Sequence, residues 1–216
     1  MPEFPWSLVT FDIDGTLTIG HGWAHVADAF GRRPQYDATN RRYLAAAIGE
    51  DEQLANLLAL AEGRTLEEVD AALESTTKIE GIGESISAIH EHGARAALLT
   101  HNPAFVCEWY VKRFGFDDFE GTITPATVGG KIPPSGPVRA DKRGSLERLL
   151  DRARAPAAGT VHVGDSRADA EIFRLIGGGV ALNSRIESVR TAADATIDTA
   201  DLRDLLPLLG RLRPRG

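Results

Sequence analysis

A run of apolar and β-branched residues, Leu8-Val9-Thr10-Phe11, stops at Asp12-Ile13-Asp14-Gly15-Thr16-Leu17-Thr18, and no other stretch limits the fold so tightly. A strand that is apolar without alternation is buried on both faces, as in a parallel sheet covered by helices. Residues two apart on a strand share a face, so Asp12 and Asp14 are expected in one crevice at the carboxyl edge of that sheet. Two carboxylates so close repel one another unless a proton or a cation lies between them. A hard divalent ion such as Mg²⁺ relieves the repulsion and leaves positions open for phosphate oxygens. On that reading Asp12 is a nucleophile toward phosphorus and Asp14 manages the proton of the leaving group. Gly15 permits a sharp turn, and Thr16 can cap the segment that follows. The plainer alternative is a turn that merely closes the strand, since Asp and Gly are common there.

With 216 residues, 43% of them hydrophobic, the chain is long enough for one α/β core and a smaller insertion. A net charge of −7 argues against a nucleic-acid groove, and the basic cluster Arg211, Arg213, Arg215 reads as a solvated tail. The single cysteine, Cys107, excludes an intrachain disulfide and a cysteine-based metal cage and fits a reducing cytoplasm. Flanked by Phe105, Val106 and Val111, it reads as core. No signal peptide is expected from the first residues, and no apolar run is long enough to cross a bilayer.

After Thr18 the pattern turns helical, with segments predicted over 24–30, 36–48, 52–62 and 66–75 and breakers at Gly31, Pro34, Gly49 and Gly63. From Gly81 helices and strands alternate: helix 83–92, strand 94–100, helix 103–114, then a strand or hairpin arm over 118–124. A turn-rich excursion through Gly129-Gly130 and Pro133-Pro134-Ser135-Gly136-Pro137 precedes helix 142–154. Strand 159–163, helix 170–176, strand 179–182 and helices 186–193 and 202–209 follow. The expected fold is α/β: a doubly wound parallel sheet from 1–17 and 81–216, with a small helical cap, 18–80, inserted after the first strand.

Later strand ends supply what Asp12 needs. The strand through Leu98-Leu99 delivers Thr100-His101-Asn102 to the same edge, where Thr100 is favoured as a phosphate ligand and His101 and Asn102 as pocket-lining residues. Each could instead cap the next helix. The chain has only four lysines, Lys78, Lys112, Lys131 and Lys142, and a phosphate among carboxylates calls for a compact cation. Lys142, opening a helix after the turn-rich segment, suits that task, with Lys131 as fallback and an exposed helix-start lysine as the alternative. Thr160-Val161-His162-Val163 leads to Asp165, placed to complete a metal shell, and to Asp169. Asp169 either holds Lys142 or a metal-bound water or serves only as a helix N-terminal charge. His21 and Trp23, with His25, sit where they could shape the substrate pocket or simply pack, whereas Arg41, Arg42 and Tyr43 read as a solvated helix face.

As an ordered set, Phe11-Asp12-Ile13-Asp14-Gly15-Thr16, Thr100, Lys142 and Gly164-Asp165-Ser166-Arg167-Ala168-Asp169 resemble the four motifs of the haloacid dehalogenase (HAD) superfamily of phosphohydrolases. The resemblance spans essentially the whole chain and is closest to the phosphoserine phosphatase-like subgroup. It implies a Mg²⁺-dependent phosphomonoesterase of small phosphorylated metabolites in which Asp12 forms an aspartyl-phosphate. Asp14 then protonates the leaving group and activates water, and Thr100 and Lys142 hold the phosphoryl oxygens. Mg²⁺ falls to Asp12, the main-chain carbonyl of Asp14 and Asp165. The subgroup's substrate-reading glutamate and cap arginine have no counterpart in Thr18-Ile19-Gly20-His21-Gly22-Trp23 or Glu52-Gln53-Leu54-Ala55-Asn56-Leu57, and Ala168 replaces its usual asparagine. The resemblance therefore reaches the catalytic set and leaves substrate and oligomeric state open. A phosphotransferase or mutase on the same chemistry, and a non-catalytic phospho-ligand module, are the alternatives.

Overall fold

The computed structural model describes residues 4–122, 127–134 and 138–215. Six strands, β1 (Leu8–Phe11), β2 (Arg95–Pro103), β3 (Asp118–Thr122), β4 (Thr160–Gly164), β5 (Gly178–Leu182) and β6 (Ala195–Ile197), form one sheet in the order β3-β2-β1-β4-β5-β6. Every pairing is parallel. The order reverses between β1 and its neighbour β4, and such a switch point opens a crevice at the carboxyl ends of the strands.

Four helices, α1 (Gly22–Ala29), α2 (Arg33–Leu44), α3 (Glu50–Ala59) and α4 (Leu66–Glu74), follow β1 where inserted helices were expected. The remainder are α5 (Ile82–Glu91), α6 (Ala104–Phe114), α7 (Lys142–Ala153), α8 (Arg167–Phe173), α9 (Glu187–Ala192) and α10 (Leu205–Arg211). Among the described residues no helix is long and apolar enough to cross a membrane.

The two-residue period of the strands sorts the core. Val9, Phe11, Ala96, Leu98, Val161 and Val163 pack with Ile82, Ile86, Ile89, Val106 and Tyr110 of α5 and α6. Leu8, Ala97 and Leu99 face the other way, onto Leu146 and Leu149 of α7 and Ile172 of α8. Both faces of β1 are therefore buried, which is why its sequence does not alternate. Thr10 and Asp12 have the parity of Leu8, so the strand aims them toward the α7 and α8 side.

Several sequence expectations are corrected. Strand β3 is a parallel edge strand, not a hairpin arm, and Arg148 and Arg152 of α7 pair with Asp118 and Glu120 to hold it. Strand β6 was not anticipated, because three residues carry too little pattern to register. Helix α8 begins three residues before the predicted start, since Ser166 and Asp169 form a reciprocal capping box. The terminal helix is split into a 3-10 turn, Leu202–Asp204, and α10. Residues 123 and 124 of the predicted strand, and Ser135-Gly136-Pro137 of the turn-rich cluster, lie outside the described residues.

The segment before α7 also touches the inserted helices. Gly63 N–H donates to Ile132 O and Ile132 N–H to Arg64 O, both at 2.8 Å, and Asp51 Oδ1 accepts from Ala140 N–H at 2.7 Å. Leu149 is fully buried between α7 and the sheet and anchors the helix that starts at Lys142. Leu149→Ala should lower unfolding stability by about 2–5 kcal/mol in urea denaturation, with little change in the denaturant slope.

Candidate active site

The crevice gathers three acidic groups. Asp12, Asp165 and Asp169 each offer an oxygen, and these lie within 4.8 Å of one another. Asp12 follows the central strand, its N–H donating to Val163 O at 2.9 Å, and its Oδ1 accepts from Ile13 N–H at 2.8 Å. Asp165 follows β4; its Oδ1 accepts from Thr16 Oγ1 at 3.1 Å, and its carbonyl accepts from Ser184 Oγ at 2.6 Å. Thr16 thus steadies an acidic side chain instead of capping the segment after it. Gly15 has φ +79°, and a Cβ there would overlap the Asp165 carboxylate, so the turn needs glycine on both counts.

Lys142 joins this cluster through Asp12 and Asp169. Lys142 is buried; its Nζ donates to Asp169 Oδ1 and sits 3.1 Å from Asp12 Oδ2. Burial works against its charge, but Asp12 and Asp169 outweigh burial and hold the ammonium protonated. Asp169 is wholly buried and saturated with donors: His162 Nε2 at 2.8 Å and Lys142 on Oδ1, then Asp165 N–H, Ser166 N–H and Ser166 Oγ on Oδ2 at 3.0, 2.8 and 2.7 Å. Burial alone would raise its pKa, yet Lys142 and His162 drive it well below the ordinary carboxylate range. With its lone pairs so occupied, Asp169 orients Lys142 and the Asp165 loop and has little left for a metal.

Asp12 and Asp165 show the opposite strain. Burial raises the Asp12 pKa, with Lys142 opposing and Asp169 adding to it. Burial, then the charges of Asp12 and Asp169, push Asp165 up to about 8. Two carboxylates that resist joint ionisation, backed by an all-oxygen donor set, fit a hard divalent cation. Asp14 differs: its side chain turns from that cluster, Oδ1 accepting from Gly22 N–H and Oδ2 from Asn102 Nδ2 at 2.9 Å. Its carboxylate therefore does not join the acidic cluster, and only its main-chain carbonyl remains for the metal assignment.

A cavity of about 370 Å³ opens above these groups, lined by Asp12, Asp14, His21, Trp23, Thr100, His101, Asn102 and Asp165 below and by Asn40, Tyr43, Leu44, Glu50, Gln53, Leu54 and Arg167 around the wall. Most side chains picked out by sequence thus converge on one place, whereas His25 is not among the residues that line the cavity. Thr100 lies beside Asp12, and His21 Nδ1 is 3.8 Å from Asp14 Oδ1. His101 Nε2 is buried without a hydrogen-bond partner among the described residues, and burial lowers the imidazole pKa. Lys131 is elsewhere, bridged to Thr65, and Arg42 pairs with exposed Glu52, whereas Tyr43 lines the cavity and not a solvated face. Sequence reasoning missed His162 and its partner Thr10 Oγ1, 2.8 Å from Nδ1. A polar pair at matching parity on two adjacent apolar strands was the signal available.

The family model of the haloacid dehalogenase-like hydrolases matches residues 9–174. A phosphoserine phosphatase of Wolinella succinogenes is 26% identical, over 92% of this chain and 98% of its own. One from Methanocaldococcus jannaschii is 21% identical, over 92% and 95%. A solved substrate-bound phosphoserine phosphatase superposes with a TM-score of 0.77 at 20% identity, covering 94% of this chain and 98% of its own.

Because Asp165 holds its proton from its ordinary value of 3.8 up to about 8, the metal-free folded state binds more protons than the unfolded state in that window. Stability should then fall as pH rises through it, and the raised Asp12 adds the same sign. In EDTA the melting temperature should decline from pH 5 to 8, with Mg²⁺ restoring more at pH 8 than at pH 5. Equal Mg²⁺ stabilisation at both would place the ion away from these carboxylates.

Proposed function

The chain belongs to the haloacid dehalogenase-like hydrolases, and from that membership we propose that it hydrolyses the phosphomonoester of a small metabolite through an aspartyl-phosphate on Asp12. The observation that carries this reading is the buried Lys142, held by Asp169 and facing Asp12 at 3.1 Å beside a second acidic strand end. Mg²⁺ falls to Asp12, Asp165 and the main-chain carbonyl of Asp14. When bound, the ion offsets charge on the phosphoryl oxygens and on the carboxylates that face them.

In the first step a carboxylate oxygen of Asp12 attacks phosphorus while the bond to the leaving oxygen breaks, and Asp14 gives that oxygen its proton. Lys142 and Thr100 hold non-bridging oxygens, so negative charge enters a site already carrying a fixed cation. In the second step water attacks phosphorus, Asp14 takes the water's proton, and the bond to Asp12 breaks to release inorganic phosphate.

Two features support an amino-acid phosphate as substrate. The relatives compared above are named phosphoserine phosphatases. Away from Asp12, Asp14 and Asp165, the cavity lining carries an anion, Glu50, and a cation, Arg167. Glu50 would meet an ammonium and Arg167 a carboxylate.

With p-nitrophenyl phosphate, Mg²⁺-dependent release of phosphate should be lost on chelation and fall at least about a thousandfold in Asp12→Asn. Phosphate passed to an added sugar with little free phosphate would indicate a phosphotransferase. Ligand binding without any turnover would indicate a non-catalytic module. For phosphoserine, Arg167→Ala should raise KM about five- to tenfold with a smaller change in kcat, because a charge-assisted pair to the substrate is lost in ground and transition states alike. An unchanged KM would remove Arg167 from substrate reading.

A further inference from the structure

The chain of hydrogen bonds that ends on Asp14 starts in the first turn of α1. Trp23 Nε1 donates to Asn102 Oδ1 at 3.0 Å. Asn102 Nδ2 donates to Asp14 Oδ2 at 2.9 Å and to Thr100 Oγ1 at 3.2 Å. The other Asp14 oxygen accepts from Gly22 N–H, one residue before Trp23.

An indole nitrogen is only a donor, so the amide atom facing Trp23 must be the oxygen of Asn102. That fixes which way the amide lies, and its NH₂ is then aimed at Asp14. Without the indole the amide could turn over and present its oxygen to the Asp14 carboxylate, replacing attraction by repulsion. Trp23 and Asn102 are both buried, at 4% and 5% exposure, so solvent does not compete for these bonds.

We propose that Trp23 and Asn102 are positioning residues for Asp14: the indole N–H sets the Asn102 amide, and that amide, with the Gly22 N–H, holds the Asp14 carboxylate where it protonates the leaving oxygen. The general acid is thus assembled by the inserted helix α1 meeting the end of β2, while the nucleophile is held by the sheet and α7. Trp23, expected from sequence to shape the substrate pocket, acts through Asn102. This inference rests on the phosphomonoesterase reading of the same site.

The test uses leaving groups. An alkoxide must be protonated as it departs, whereas p-nitrophenolate leaves without help, and kcat/KM covers only the steps up to that departure. Trp23→Phe keeps an aromatic ring and removes the N–H. With Mg²⁺ present, kcat/KM for β-glycerol phosphate should fall about tenfold more than kcat/KM for p-nitrophenyl phosphate, a fraction of the 10²–10⁴ range of general acid catalysis. Asn102→Ala should show the same selective loss, and the double variant should be no more selective than Asn102→Ala alone. An alkyl-to-aryl ratio within about twofold of wild type in both single variants overturns the inference, because loss of packing or of substrate contact moves the two substrates together. A wild-type protein that turns over neither substrate overturns the phosphatase reading and the inference with it, whereas an active wild type with unselective variants overturns the inference alone.

Discussion

Lys142 sits where elementary electrostatics discourages it. It is buried, and it occupies the first position of α7, where the helix dipole already presents positive charge. A buried ammonium is tolerable only when carboxylates surround it closely, and here Asp12 and Asp169 do so from two sides. Removing Lys142 would leave two buried carboxylates without their cation, so the three groups form one unit. The unit is tied further: Asp169 is held by His162, and His162 by Thr10. Because Thr10, Asp12 and His162 share strand parity, the polar line runs along the α7 and α8 face of the sheet while the opposite face stays apolar.

This arrangement explains what could be read beforehand. Strand ends are legible because an apolar run that stops at Asp or Thr is a local pattern, and Asp12, Thr100 and Asp165 were found that way. Lys142 was legible through rarity, four lysines making each position informative. What escaped was non-local. His162 inside a strand carries no sign of its partners, since its bond to Thr10 spans 152 residues of chain. The Asn102 to Asp14 bond spans 88. The predicted start of α8 falls three residues late because Ser166 caps the helix reciprocally with Asp169.

Asp12 and Asp14 line one cavity, but their carboxylates do not share one cluster within it. The period of two holds only while the chain remains a strand, and β1 ends at Phe11. Beyond it the backbone turns at Ile13 and Gly15, with Thr16, Leu17 and Thr18 N–H groups all returning to Ile13 O. Asp14 is carried out of the sheet toward Gly22 and Asn102. The repulsion inferred from sequence is real, but Asp12 meets it from Asp165 and Asp169 instead.

That separation gives two carboxylates, two residues apart, different surroundings. Asp12 lies among other acids and one ammonium, where a divalent ion is the natural complement. Asp14 is held by neutral donors, an amide side chain and a main-chain N–H, and faces the cavity wall built by α1 to α3. Environments that differ in this way let identical side chains divide nucleophilic from acid-base work. A sheet alone could not supply the second environment, because its strand ends place every acid against the same cluster. The inserted helices therefore do more than roof the cavity: their first turn provides the donor that draws Asp14 away from the charges gathered around Asp12.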